Sequence, residues 1–328
     1  MNKYKDNIIL ITGAAGFVGS NAVKYFFKKG AHIRACVSPR TSNDVLKRQL
    51  GDLINDIEII RADLLNPDEA NDVYKNCNVV LNFAAIDGSI EFKKNNSAEI
   101  FSKNLRMNLN ALDSAVINGV KTFVLLSTSD IYKSSETGVL NEESAIDIEN
   151  DSFIDGYKLS KWVSELAAVE YEKQYNLKTI IVRPGNVYGP GDDFEDEGRS
   201  RFIPTCIKNI YKENKPINIW GDGSQVRSFI YVDDFLKALE KVVMGETPKT
   251  PINIAGKNNY SLKEISETIL KLAGKDNKMI IYDKSKPIGV KKRIFDLTNM
   301  NKYTGVMEEV SLEDGIKTTI DFFKLHYL

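Results

Sequence analysis

A doubly wound α/β sheet followed by a smaller C-terminal α/β lobe is the fold class this chain predicts, on three observations. Strand-like and helix-like segments alternate through the first 183 residues. The strand-like runs, such as Ile8-Ile9-Leu10-Ile11, are too apolar for a sheet with one wet face, which suits a parallel sheet covered by helices on both sides. After Arg183 the pattern breaks. Pro184, Gly185, Gly189, Pro190 and Gly191 crowd together, and short elements follow between Gly-Asp-Gly, Pro and Lys-rich turns.

In chain order, apolar runs place strands at 7–12, 31–37, 57–60, 79–84, 122–126 and 179–182. Helical periodicity places helices at 17–29, 44–53, 67–75, 97–118 and 155–175. The acidic segment 141–151 reads as a surface loop before a long helix. Residues 1–183 form the first unit, with parts of 228–256 (231–244 and 252–255 above all) expected to return to its sheet. Residues 184–328 make up most of the second lobe.

Composition removes several classes of function. With 44 Lys and Arg against 45 Asp and Glu the net charge is −1, so no basic field draws the chain to nucleic acid or membrane. Lys3 and Lys5 precede an apolar run, but Asp6 interrupts them and the run is four residues, so no secretion signal is expected. The longest uncharged run, 7–23, holds three glycines with Asn and Thr and does not read as a membrane span. Cys36, Cys77 and Cys206 are odd in number and scattered, which suits a reducing, cytoplasmic setting. The two histidines, His32 and His326, lie in no ligand cluster, so neither a metal site nor a Ser-His-Asp hydrolase is expected. Acid–base chemistry therefore falls to Tyr, Lys or carboxylates.

The segment Thr12-Gly13-Ala14-Ala15-Gly16-Phe17-Val18-Gly19 joins the first strand to the first helix with glycines at G-x-x-G-x-x-G spacing. Such glycines allow a tight turn and a close approach to a pyrophosphate, and the helix N-terminus offers it free N–H groups and a positive dipole end. This is the signature of a Rossmann-like dinucleotide site, with Gly13, Ala15, Gly16, Phe17, Val18 and Gly19 as its cradle. Ligands of such sheets bind beyond the carboxyl ends of the strands. That rule singles out Ser38 and Arg40, Asp63 and Leu64, and Phe83, Ala84 and Ala85. An acid at the end of the second strand would favour NAD(H). The chain instead reads Cys36-Val37-Ser38-Pro39-Arg40, so NADP(H) is slightly favoured over NAD(H). For Asp63 the plain alternative is a carboxylate capping the next helix.

The strand at 122–126 ends in Ser127-Thr128-Ser129-Asp130, and the helix that follows carries Tyr157 and Lys161 four residues apart, on one face. An ammonium about 5 Å from a phenol, at an effective dielectric near 20, favours the phenolate by roughly 3 kcal/mol, or about two pKa units. Lys161 is thus expected to bring Tyr157 toward proton exchange with a sugar hydroxyl or carbonyl, with Thr128 bonded to the same oxygen. Taken alone, Y-x-x-x-K is also an ordinary surface pairing.

The motifs T-G-x-x-G-x-x-G, Asp63, Asn82-Phe83-Ala84-Ala85, S-T-S-D-I-Y, Y-x-x-x-K and Arg183-Pro184-Gly185-Asn186-Val187-Tyr188-Gly189-Pro190, in that order, resemble the extended short-chain dehydrogenase/reductases. More narrowly they resemble the nucleotide-sugar epimerase/dehydratase/reductase branch, over nearly the whole chain. The resemblance implies a catalytic set of Thr128, Tyr157 and Lys161, an adenine contact at Asp63, and a homodimer through helices 97–118 and 155–175. It implies a nucleotide-sugar grip at Asn186, at a 220–229 hairpin carrying Trp220 and Arg227, and at the basic cluster of Lys286 and 291–293, with Lys292 or Arg293 as a second phosphate ligand. Arg201 and Lys208 fall in the same lobe. The alternative for residues 291–293 is a solvated charge run.

Gly189-Pro190-Gly191-Asp192-Asp193-Phe194, Ser200-Arg201-Phe202-Ile203-Pro204 and the Lys-Pro-Ile-Gly at 286–289 look most similar to GDP-fucose synthases, which epimerise and then reduce a 4-keto sugar. Where those enzymes carry a catalytic cysteine this chain has Asp130, and where they carry a histidine it has Arg201, so double epimerisation by that route is not expected. Asp130 is then a candidate base or a structural cap. The expected activity is hydride transfer at C4 of a nucleotide-diphosphate sugar, by an epimerase or a 4-keto reductase. The alternatives are a 4,6-dehydratase or decarboxylase, a reductase of flavonoid- or steroid-type ketones, and a non-catalytic NAD(P) sensor on the same fold.

Overall fold

The computed structural model describes residues 4, 7–133, 138–144, 146, 155–195, 200–248, 251–286, 290–305 and 310–328. The strands are β1 Ile8–Thr12, β2 His32–Val37, β3 Glu58–Arg61, β4 Val79–Asn82, β5 Thr122–Leu126, β6 Val139–Leu140, β7 Lys178–Pro184, β8 Asn186–Tyr188, β9 Ile217–Trp220, β10 Val226–Tyr231, β11 Ile252–Ile254, β12 Asn259–Ser261, β13 Ile280–Asp283 and β14 Lys292–Phe295. The α-helices are α1 Phe17–Lys28, α2 Asn43–Leu50, α3 Pro67–Tyr74, α4 Ile90–Asn95, α5 Ser97–Ile117, α6 Gly156–Tyr175, α7 Phe202–Lys208, α8 Val232–Met244, α9 Leu262–Ala273, α10 Thr298–Thr304 and α11 Leu312–Tyr327.

Seven parallel strands form the main sheet in the order β11-β7-β5-β4-β1-β2-β3, reversing direction of travel at β1. Apolar clusters fill both of its faces, one around Ile9, Ile11, Phe26 and Phe235, the other around Leu10, Val80, Phe123 and Leu112. Residues 252–254 join this sheet beside β7, while α8 packs on α1. A smaller sheet, β12-β10-β14-β6 with β8 beside β10, sits beyond the carboxyl ends, and β9 pairs with β13.

Three expectations are corrected. The fourth strand stops at Asn82, not Ala84, because the Phe83 and Ala84 N–H groups both turn to the Thr12 hydroxyl, at 3.1 Å each. The second helix ends at Leu50, and 51–55 continues as a 3₁₀ turn rather than helix to 53. Residues 220–229 are not a hairpin. β9 and β10 lie in different sheets, because Asp222 accepts from the Ser224 N–H at 2.9 Å and turns the chain between them.

A buried amide ladder ties the layers together. Thr12 Oγ1 donates to Asn82 Oδ1 at 2.8 Å, Asn82 Nδ2 to Asn108 Oδ1 at 2.8 Å, and Asn108 Nδ2 to Ser164 Oγ at 2.9 Å. Each polar group finds a partner away from water. The ladder runs from the glycine loop through α5 to the helix that carries Tyr157.

Candidate active site

At the glycine loop, Gly13 takes φ +65°, and a Cβ there would stand 2.9 Å from the Ala84 nitrogen. A Cβ on Gly19 would collide with the Gly13 carbonyl, so α1 packs directly on the turn. Gly16 is the N-cap of α1, which has no side-chain cap and no acid in its first turn. Its N–H groups and positive end are left facing the loop where Ala15, Phe17 and Val18 stand. Ser38 and Arg40 are exposed on the turn after β2, where Ser38 Oγ accepts the Arg40 N–H at 3.3 Å. Asp63 is exposed after β3 and Leu64 is buried beside it. Asn66, not Asp63, caps α3; the Asp63 carboxylate accepts only locally, from the Leu65 N–H at 3.1 Å. Phe83, Ala84 and Ala85 follow β4, with Phe83 buried.

Tyr157 lies in the first turn of α6 because Asp155 caps that helix, accepting the Lys158 N–H at 2.9 Å. Gly156 permits this placement. A Cβ there would meet the Ser97 carbonyl at 1.8 Å, while its N–H donates to Ser97 Oγ at 2.7 Å. The Tyr157 hydroxyl bonds to Thr128, and Lys161 Nζ stands 5.8 Å from the Tyr157 ring centre while donating to the Leu126 carbonyl at 2.6 Å. Thr128, Tyr157 and Lys161 are thus brought together. Their electrostatics differ from expectation. Burial pushes the Tyr157 phenol well above its ordinary pKa, and Asp87 and Asp130 add to that, against Arg201 and Thr128, which pull it down. Burial also lowers Lys161, to about 8. Burial is the largest influence on the phenol, and Lys161 is not among the groups that pull it down most.

Asp130 faces Tyr157 from the turn after β5. Arg293 Nη1 donates to its Oδ1 at 2.6 Å, and Lys93 Nζ stands 3.8 Å from its Oδ2. Burial alone would raise this carboxyl; Arg293, Lys93 and Lys158 overcome that and hold it below its ordinary range. Arg227 on β10 is in register with Arg293 on β14. Burial and the Arg293 charge push the Arg227 guanidinium down to about 10, Asp130 offsetting part of it. Two adjacent guanidiniums in register make a site for an anion with two charged oxygens. Strand alternation leaves Lys292 exposed while Arg293 turns inward, which separates these neighbours. Asn186 is exposed on β8, its Nδ2 donating to the Ser228 carbonyl at 3.2 Å. Half-exposed Trp220 lies under the Lys286 ammonium, and residues 287–289 of that cluster fall outside the described residues. Arg201 spans the two lobes. Its Nη2 donates to Asp192 Oδ1 at 2.9 Å and its guanidinium lies 4.9 Å from the Phe17 ring centre. Lys208 points instead to Glu213, at 3.4 Å.

The chain thus holds a bare glycine turn at a helix start, a buried Thr-Tyr-Lys set and two arginines in register. The model of the NAD dependent epimerase/dehydratase family matches residues 9–255. The chain belongs to that family. It is 33% identical over 330 residues to a dTDP-4-dehydro-6-deoxy-D-allose reductase of a Streptomyces species, covering 99% of this chain and 98% of the relative. It is 29% identical over 327 residues to a GDP-L-fucose synthase of Azorhizobium caulinodans, covering 97% of each. Its fold matches, with TM-score 0.81 and 25% identity, a Bacillus cereus UDP-glucuronic acid 4-epimerase in complex with UDP-glucuronic acid and NAD, over 98% of this chain and 100% of that one.

This epimerase/dehydratase-family enzyme is an extended short-chain dehydrogenase/reductase that uses NAD(P) and acts on a nucleotide-diphosphate sugar through hydride transfer at C4. The uncapped start of α1 and the bare glycine turn fit a pyrophosphate, and Gly13, Gly16 and Gly19 would hold it. Bound there, the dinucleotide supplies or takes up the hydride. Beside it the Tyr157 phenol is buried and hydrogen-bonded to Thr128, an arrangement suited to holding a proton at a substrate oxygen. Lys93, Asp87 and Gly156 were not singled out by the sequence, and Asp192 entered only as part of a motif, without its role as partner of Arg201. Lys93 lies on α4, a helix too short to show periodicity. Gly156 carried a signal, a helix beginning with glycine immediately before its reactive tyrosine.

Proposed function

We propose that this enzyme reduces the 4-keto group of a dTDP-linked 6-deoxy sugar with NADPH and leaves C3 and C5 untouched. The observation that carries the reading is the pairing of Asp130 with Arg293 and of Arg201 with Asp192. These are the two positions where GDP-fucose synthases carry an acid–base pair. A carboxylate facing Arg293, Lys93 and Lys158 is a poor base, and a guanidinium gives up no proton at neutral pH. The raised Tyr157 phenol supports the same direction, since a group kept protonated is ready to donate when a ketone becomes an alkoxide. Relatives named dTDP-4-dehydro-6-deoxy-D-allose reductase, at 33% and 32% identity, support the nucleotide and the reaction.

In this reading Thr128, Tyr157 and Lys161 are catalytic and Asp130 is a fixed charge. Arg227 and Arg293 hold the diphosphate, and Trp220 and Asn186 flank the nucleotide. Ser38 and Arg40 take the 2′-phosphate and Asp63 the adenine. The main sheet with its helices is the cofactor domain, and residues 184–328 mostly the sugar lobe. Exposed Ile117, Leu166 and Tyr175 on α5 and α6 support a homodimer through those helices, and three unbridged, buried cysteines support the cytoplasm. The test supplies dTDP-4-keto-6-deoxyhexoses with C4-deuterated NADPH, and separately in heavy water. Deuterium from the cofactor at C4 alone, with NADPH consumed mole for mole, is expected. Solvent label at C3 or C5 overturns the reading, as does interconversion of C4 epimers without net cofactor use.

A further inference from the structure

We propose that Lys93 is a positioning residue for proton transfer, a second cation beside Lys161 that holds the Tyr157 ring and favours its phenolate. The inference rests on the C4 chemistry above. Lys93 is only 9% exposed, and its Nζ lies 4.7 Å from the Tyr157 ring centre, closer than the 5.8 Å of Lys161. Two acids hold that ammonium in place, Asp87 at 3.3 Å and Asp130 at 3.8 Å, and Asp155 adds its charge. Both acids are fixed in turn. Asn104 brackets Ile86, next to Asp87, accepting its N–H at 2.7 Å and donating to its carbonyl at 2.9 Å. Arg293 holds Asp130.

The charged groups facing Tyr157 are Lys93 on α4, Lys161 on its own helix, Asp87 and Asp130 on the loops after β4 and β5, and Arg201 at the start of α7. Asp87 and Asp130 oppose a phenolate. Lys93 touches both acids and the ring, so it offsets them at the point where the charge forms. When Tyr157 gives its proton to the C4 oxygen, the O–H electron pair stays on the phenolate oxygen. A cation over the ring face binds that electron-rich ring more strongly than the neutral phenol. Lys161, with its ammonium on the Leu126 carbonyl, shares this task with Lys93.

The test reads Tyr157 directly. Enzyme labelled with [13Cζ]tyrosine and saturated with NADP+ is titrated by NMR, with the Tyr157 signal assigned by its loss in Tyr157→Phe. Lys93→Met, with Lys93→Gln as a second neutral variant, is expected to raise the onset of Tyr157 ionisation by about one pH unit and to lower turnover by roughly ten- to a hundred-fold. Lys93→Arg is expected to restore most of both. Superimposable titrations of wild type and the neutral variants, including no ionisation in either, overturn the proposal, and so does a Lys93→Arg variant as impaired as Lys93→Met. The titration needs no sugar, so a wrong substrate leaves it standing and shows as absent turnover in the wild type.

Discussion

Two charge networks flank the carboxyl end of β5, three residues apart in sequence, and they are built differently. Behind the strand, Arg183 makes a forked bond to Glu165 at 3.0 and 2.6 Å, and its side chain and that of Glu165 are 5% and 4% exposed. Ser127 also donates to Glu165, and Tyr132 accepts from Arg183 at 2.9 Å and donates to Asn253 at 2.7 Å. In front, Asp130 and Arg293 meet at 2.6 Å with the Asp130 side chain 40% exposed; Arg227, Lys93 and Lys158 lie around them, and Asp87 is a second acid on Lys93 at 3.3 Å. The rear network is closed, and its charges answer one another within the protein. The front network holds four cations, Arg293, Arg227, Lys93 and Lys158, against Asp130 and Asp87, and is partly open to solvent at Asp130. The first pins α6 to β7; the second has charge to spare for an anionic ligand.

If this division holds, rate and stability separate cleanly between the two networks. The largest effect is expected on the open side. Tyr157→Phe keeps the ring and its cation contacts but loses the proton, so turnover with the 4-keto sugar should fall by roughly 10²–10⁴, with little change in the melting temperature. Steady-state assays beside thermal melts check this, and full turnover in the variant breaks the mechanism. On the closed side the balance reverses. Glu165→Ala leaves Arg183 buried and unpaired, which should cost about 3–5 kcal/mol of stability in urea unfolding. A loss below about 1 kcal/mol would show that the rear network is not the scaffold it resembles.

The two networks were also unequally legible. Thr128, Tyr157 and Lys161 lie in two short motifs whose spacing survives any fold, because i,i+4 geometry belongs to a single helix. The glycine turn was legible for the same reason: strand, turn and helix are contiguous. Lys93, Arg201 with Asp192, and Arg293 with Asp130 meet only through the packing of α4, α7 and β14 against the sheet end, and no local pattern announces that. The 220–229 segment failed in the opposite way. Its Gly-Asp-Gly turn signal is real, but a turn does not say whether its two strands pair with each other. For Tyr157, residue spacing gives the charge at Lys161 and gives nothing of the burial that raises the phenol.

The separation extends to the cofactor end, where Arg40 is exposed and bonded through its own turn. A charge-assisted contact to a 2′-phosphate is worth about 1.5–3 kcal/mol, so Arg40→Ala should weaken NADP(H) by roughly ten- to a hundred-fold. NAD(H) binding and the melting temperature should hardly move. Equal losses for both cofactors by fluorescence titration would remove Arg40 from the 2′-phosphate.

The smallest effect is expected at Asp130, and its pH dependence sharpens the comparison most. Asp130 faces three cations, so its folded-state carboxyl lies below the unfolded value. A depressed acid stabilises the fold above its unfolded pKa, near 3.9, and that contribution is lost as pH falls through the lower folded value. Asp130→Asn should therefore be less stable than wild type at pH 7 and converge with it in strong acid. Because the side chain is 40% exposed, solvent screens the pair and the gap at pH 7 should stay within about 1 kcal/mol. Glu165→Ala should show the larger gap at pH 7. Urea melts at pH 7 and at a series of pH values below the ordinary carboxyl range check the size of the two gaps and the loss of the Asp130 one. A gap for Asp130→Asn as large as that for Glu165→Ala would mean that the front network is as closed as the rear one, and that Arg293 is not free to hold a diphosphate.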